Sequence, residues 1–175
     1  MRRAPSGSRT ACGIDVMLRS EAFPEPTFLW WDVRLQPRFG TVELRVMDAQ
    51  STVARVAALA SFVQCIAHLE LEQGFQTERL MRAPEILDEN RFLPARDGMG
   101  ARLIDPHRER RIPASEQLAE LILAARPHTQ QLGSEAMLDV VAEMAEDSGA
   151  DRQRRVAAER GLGAVAEDLA EAFLA

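Results

Sequence analysis

Residues 28–50 read FLWWDVRLQPRFGTVELRVMDAQ, and this stretch decides the fold class. Side chains alternate between the two faces of a strand. Before the turn, Leu29, Trp31, Val33 and Leu35 share one face, and Phe28, Trp30, Asp32 and Arg34 share the other. Gln36-Pro37-Arg38-Phe39-Gly40 has turn chemistry, because Pro37 pre-sets φ and Gly40 tolerates a left-handed backbone. Beyond it, Val42, Leu44 and Val46 alternate with Thr41, Glu43, Arg45 and Met47. The pattern predicts a hairpin whose apolar face is buried and whose other face collects Asp32, Arg34, Glu43 and Arg45. Two carboxylates and two guanidiniums on one sheet face are costly unless that face is solvated, paired or used in chemistry.

Working outward, residues 53–73 show a helical period ending at Gly74, with Thr52 among the N-cap candidates. Val56, Leu59, Ala60, Val63, Ile66 and Ala67 form its expected inner stripe, widened by Phe62 and Leu69. A short helix is expected over residues 85–93, interrupted by Pro94 and by Gly98-Met99-Gly100. Residues 101–105, ARLID, read as a strand, and residues 106–113, PHRERRIP, as a basic loop balanced by nearby acids. Four helices follow. One is capped by Ser115 and buries Leu118, Leu121, Ile122 and Ala125. The next covers residues 134–147, with Met137, Val140, Val141 and Met144 inward; the others cover 150–160 and 164–173. Residues 1–13 read as a disordered tail and residues 14–175 as one folded region. The fold class expected is α+β, with few strands and a helix-rich C-terminal half. Two strands make no stable sheet alone.

With 175 residues, the chain is one domain or a large piece of one. Its net charge of −6 argues against a general nucleic-acid binder or a partner for anionic membranes. All 21 basic residues are arginine, so no lysine is present for a Schiff base or a phosphate-binding loop. Cys12 and Cys65 form neither a metal-ligand spacing nor a disulfide framework, which fits a reducing cytoplasm. No apolar run approaches the roughly 18 residues of a membrane span, and residues 1–13 lack the apolar core of a signal peptide.

Residues 31–48 resemble a signature of the carboxylate–amine ligases, also called glutamate–cysteine ligase type 2. Trp31, Asp32, Arg34, Pro37, Phe39, Gly40, Thr41, Glu43, Arg45 and Asp48 carry it. A second block matches at Glu89-Asn90-Arg91, Ala95-Arg96, Gly98 and Leu103-Ile104-Asp105, and a third at residues 149–153, GADRQ. The blocks keep the family's order. The resemblance implies a glutamine-synthetase-like catalytic fold, in which an antiparallel sheet carries ATP, a divalent metal and an amino acid on one face. It also implies the reaction: ATP activates a carboxylate, such as that of glutamate, as an acyl phosphate, and an amine such as cysteine displaces phosphate. On that basis Glu43 is the expected Mg²⁺ ligand. Arg34 and Arg45 are the expected catalytic pair. Asp32, Asn90, Arg91 and Arg96 are expected to contact substrate or nucleotide.

Family members are longer, and the glutamate-bearing G-x-E-x-E strand of their N-terminal half has no counterpart before Ile14. The chain is therefore expected to represent a C-terminal portion, whether a truncated reading frame, a fragment or half of a split protein. An unpaired sheet edge then predicts self-association. The rival reading is a non-catalytic small-anion-binding or assembly domain that keeps part of the ligase fold.

Each candidate also has a purely structural reading. Glu43, Arg34 and Arg45 could be cross-strand ion pairs. Asn90, Arg91 and Arg96 could be a helix terminus with solvated arginines, and Asp151 an ordinary helix cap. Trp31 reads as core, and Trp30 either stacks on adenine or lines the sheet. Cys65 reads as a buried small apolar residue. His68 has Cys65 one turn before it and Glu72 one turn after, a spacing that also suits a local metal site. A surface pairing on the helix is the simpler reading, so His68 is taken as structural. His128 follows Pro127 with no evident partner.

Overall fold

The computed structural model describes residues 15–25, 28, 32–74 and 83–174. Trp30, Trp31, Cys12 and the tail of residues 1–13 lie outside the described residues. The chain divides into two compact units, residues 1–49 and 50–175. Helices dominate, with two small antiparallel sheets among the described residues, so the architecture is α+β.

In the first unit, residues 15–19 are helical, and β1 (Val33–Gln36) pairs antiparallel with β2 (Thr41–Leu44). The register opposes Val33 to Leu44, Arg34 to Glu43, Leu35 to Val42 and Gln36 to Thr41. The turn closes through Phe39 N–H donating to Gln36 O at 3.1 Å, and Gly40 has φ 63°. The expected hairpin, turn and sorting are therefore present over Val33–Leu44, whereas Val46 and Met47 lie beyond β2 and Leu29, Trp30 and Trp31 outside the described residues. The expected burial of its apolar face is not: Val33, Leu35, Val42 and Leu44 are 39–55% exposed.

The second unit is organised around α1 (Val53–Gln73). Thr52 Oγ1 accepts from Arg55 N–H at 3.3 Å, and Gly74 ends the helix with φ 58°. α1 was expected within these bounds, but its buried stripe lies one position round from the expected one. Ala58, Phe62, Cys65 and Leu69 are buried, at spacings of four, three and four residues, whereas Val56 is 51% exposed. That stripe packs on α3 (Ala114–Ala125) and α5 (Glu135–Glu146). The resulting core joins Ala58, Phe62 and Cys65 to Ile122, Ala125, Leu138 and Val141. By length and composition α1 could also cross a membrane, contrary to the expectation that nothing here approaches a span. In this structure Ala58, Phe62, Cys65 and Leu69 are its buried residues.

α2 (Pro84–Asp97) runs through Pro94, which was expected to interrupt it. Proline removes one intrahelical hydrogen bond at about 3 kcal/mol or more. Opposing that, Leu93 is buried at 2% exposure in a second cluster with Ala101 and Ala114. A 3-10 turn (Gly98–Gly100) leads into β3 (Arg102–Asp105), as expected. The segment read as a basic loop is instead a hairpin arm: β4 (Arg110–Pro113) pairs antiparallel with β3. Asp105 Oδ1 accepts from His107 N–H at 2.8 Å and Arg108 N–H at 3.1 Å, which closes the turn. The paired Leu103 and Ile112 supply its apolar side.

α3 starts at Ala114 after Pro113, so Ser115 lies in its first turn and is not its cap. A 3-10 turn (Arg126–His128) and the short α4 (Thr129–Leu132) precede α5. Ser148 caps α6 (Gly149–Arg160), accepting from Asp151 N–H at 3.2 Å. α7 (Gly163–Leu174) returns along α6. Arg152 joins the pair by donating to both oxygens of Asp168 at 2.8 and 3.0 Å.

Candidate functional site

The polar face of the β1–β2 hairpin follows from strand alternation and register. Positions 32, 34 and 36 of one arm face positions 45, 43 and 41 of the other. Arg45 N–H donates to Asp32 O at 2.6 Å, extending the pairing one step beyond β1 and β2. Asp32 and Arg45 are thus opposed, as are Arg34 and Glu43, and opposite charges alternate both along and across the strands.

Glu43 sits at the centre. Its Oε2 accepts from Arg34 Nε at 2.8 Å and from Gln36 Nε2 at 3.1 Å, and its Oε1 accepts from Arg45 NH1 at 3.0 Å. The hydrogen bond from Gln36 and the adjacent Arg34 hold the Glu43 carboxyl below the usual carboxylate range, so it is ionised at neutral pH. The Arg34 side chain is 13% exposed, while Glu43 and Arg45 are about one-third exposed. The face is therefore partly solvated, and charge-assisted hydrogen bonds cross-link Glu43 to both arginines. Gln36 was missed among the candidates, although alternation alone places it on the face of Asp32 and Arg34.

Mg²⁺ sites are commonly one or two carboxylates completed by substrate phosphates. Glu43 supplies one ionised carboxylate, flanked by two guanidiniums of the geometry that suits phosphate or carboxylate oxygens. The set fits Mg²⁺ bound together with a phosphate, and fits a metal without an anion poorly, because both Glu43 oxygens already face arginines.

The second block forms a different arrangement. Asn90 is fixed on β3: its Nδ2 donates to Ile104 O at 2.9 Å and its Oδ1 accepts from Ile104 N–H at 2.8 Å. Arg91 is exposed and pairs with Asp88 at 3.3 Å. Arg96 grips Asp97 through two bonds of 2.8 and 2.7 Å, and its guanidinium lies 5.4 Å from the centre of the Phe92 ring. Each residue turns a helix by about 100°, so Asn90, Arg91 and Arg96 leave α2 in three directions. The fold does not gather them at one point.

The third block and the basic segment are ion-pair networks. Arg155 donates to both oxygens of Asp147 at 2.7 and 2.9 Å, while Asp151 takes Ser148 and Arg154. Arg108 reaches Asp105, Glu116 and Glu120, the last at 2.6 Å, in keeping with a mixed-charge solvated surface. His128, which the sequence left without a partner, is 3% exposed and faces Glu72 and His68 of α1.

Comparison with known proteins agrees with the resemblance. The family model for glutamate–cysteine ligase family 2 matches residues 7–172. A Rubrobacter xylanophilus protein named "Putative glutamate--cysteine ligase 2-3" is 40% identical over 91% of this chain and 43% of its own length. A Gloeobacter violaceus protein named "Putative glutamate--cysteine ligase 2" is 36% identical over 93% of this chain and 44% of its own length. One of the same name from Micrococcus luteus is 40% identical over 78% and 35% respectively. The chain spans less than half the length of these relatives. The matched span takes in both the charged hairpin and the helical unit, and the chain belongs to glutamate–cysteine ligase family 2.

Proposed function

We propose that this chain carries part of the catalytic site of an ATP-dependent carboxylate–amine ligase of the glutamate–cysteine ligase type. The observation that supports this most is Glu43, kept ionised between Arg34 and Arg45 on the polar face of the hairpin. Residues 14–175 would form the C-terminal part of a glutamine-synthetase-like catalytic domain working in the cytoplasm. Its substrates would be ATP, an amino-acid carboxylate of the glutamate kind and an amine of the cysteine kind.

Glu43 would hold Mg²⁺, and when bound, Mg·ATP supplies the phosphoryl group that activates the acid as an acyl phosphate. Arg34 and Arg45 would bind planar carboxylate or phosphate oxygens through their N–H forks and stabilise charge that grows there. Before ligand arrives, Glu43, itself held by Gln36, positions both guanidiniums. Asp32, opposed to Arg45, would orient it. Of Asn90, Arg91 and Arg96, which diverge on α2, Arg91 would contact substrate or nucleotide, while Asn90 and Arg96 are held by Ile104 and Asp97.

A second reading is a small-anion-binding or assembly domain without chemistry. It is favoured by the engagement of both Glu43 oxygens with the chain's own arginines and Gln36. ADP or phosphate release by the purified chain, given Mg·ATP, glutamate and cysteine, separates the two. The ligase reading expects release that is abolished in Glu43→Ala. ATP binding without any release supports the second reading, and neither binding nor release overturns both for this chain.

A further inference from the structure

The C-terminal end of α1 and the 3-10 turn at Arg126–His128 bring together His68, Glu72 and His128, two of the chain's three histidines and one carboxylate. One potential ligand atom from each lies within 4.8 Å of the others. Glu72 stands between the rings: its Oε1 is 3.8 Å from His68 Nδ1 and its Oε2 is 3.5 Å from His128 Nδ1. The ring centres are 6.2 Å apart.

Two features distinguish this from a surface pairing of His68 with Glu72. First, the third member comes from another element and is buried, with His128 3% exposed. Second, His128 turns Nδ1 towards Glu72 at 3.5 Å, while its buried Nε2 has no hydrogen-bond partner among the described residues to fix the ring's tautomer. The cluster's outer edge is open, because the Glu72 and His68 side chains are 49% and 39% exposed, so an ion has a path in.

We infer that His68, Glu72 and His128 form a binding site for a divalent transition-metal ion of the zinc class, separate from the charged hairpin. Two imidazoles and one carboxylate suit zinc and its neighbours, whereas Mg²⁺ and Ca²⁺ prefer all-oxygen sets. Ligand atoms about 2.0–2.2 Å from one tetrahedral ion stand roughly 3.3–3.5 Å apart. The observed separations therefore ask for a contraction of an ångström or so, which the half-exposed His68 and Glu72 side chains supply by rotamer adjustment. His68 and Glu72 are four residues apart on α1, the spacing at which side chains share one face. The surrounding frame is already braced. Thr129 Oγ1 donates to Arg126 O at 2.7 Å across the 3-10 turn, and Cys65 Sγ lies 3.8 Å from Ser134 Oγ one turn before His68. The ion would staple α1 to the 126–134 segment and keep a fourth position open to solvent.

The test is titration of the purified 175-residue chain with Zn²⁺ alone, followed by calorimetry and thermal melts. Co²⁺ is the optical probe. One equivalent of Zn²⁺ should bind and raise Tm by mass action, and Co²⁺ should develop visible ligand-field bands. Glu72→Gln, His68→Gln and His128→Gln should each weaken binding by at least about tenfold, whereas His107→Gln and Glu43→Gln should leave it intact. Glu72 is exposed, so Glu72→Gln keeps the test interpretable if the His128 variant does not fold. Absence of saturable Zn²⁺ binding at micromolar concentrations overturns the assignment. So does binding that survives Glu72→Gln and His68→Gln, or that Glu43→Gln removes.

Discussion

The side-chain amide of Asn90 pairs with both backbone groups of Ile104, donating to its carbonyl at 2.9 Å and accepting from its N–H at 2.8 Å. Asn90 thereby acts as a strand neighbour for β3 while standing on a helix. It also ties together the two halves of the second sequence block, which are separated by Pro94 and the 3-10 turn. Asn90→Ala leaves two partly buried backbone groups without partners, at about 1–3 kcal/mol. Urea unfolding should show a lower midpoint with an unchanged slope. An unaltered midpoint would mean that Asn90 matters only to ligand.

Arg152 and Asp168 join α6 to α7 through two parallel bonds. The pair is partly solvent-screened, since Arg152 is 37% exposed, so its effect should be small and salt-sensitive. Arg152→Ala and Asp168→Ala should each lower Tm by about 1–3 °C. The double variant should fall no further than either single one. Additive losses, insensitive to salt, would sink this account.

Acid should destabilise the helical unit. The carboxyl of Asp105 is held below its usual range by the N–H groups of Arg108 and His107, that of Asp147 by Arg155, that of Asp151 by Ser148 and that of Asp168 by Arg152. A pKa that is lower in the folded chain means stability present above the unfolded value of 3.8 and lost as pH falls through the folded one. Tm should therefore hold down to about pH 5 and decline below pH 4. Arg152→Gln and Arg155→Gln should flatten that decline. A Tm that rises on acidification to pH 3 would contradict the sign.

Much of this was legible locally. The hairpin register followed from alternation around a Pro-Gly turn, and the α1 bounds from Thr52 and Gly74. β4 was hidden because Arg108, Glu109, Arg110 and Arg111 mask its period. Within that arm only Ile112 is buried, and the turn that pairs it with Leu103 depends on Asp105 capping two backbone N–H groups. Pro94 misled because intrinsic propensity disfavours it, while the burial of Leu93 against Ala101 and Ala114 is a tertiary term that propensity does not contain. The α1 stripe was misjudged by one position because apolar residues cover most of the helix. Which of them face inward depends on where α3 and α5 pack.

The sequence by itself determined the charged hairpin face, the family signature and the pairing of His68 with Glu72. Each depends on the fixed periods of strand and helix, which act over a few residues. Tertiary structure alone decided that Asn90 serves β3, that Asn90, Arg91 and Arg96 diverge, and that His128 joins His68 and Glu72. Those outcomes depend on how helices separated along the chain pack around a shared core, and close packing of particular side chains, not periodicity, sets that geometry.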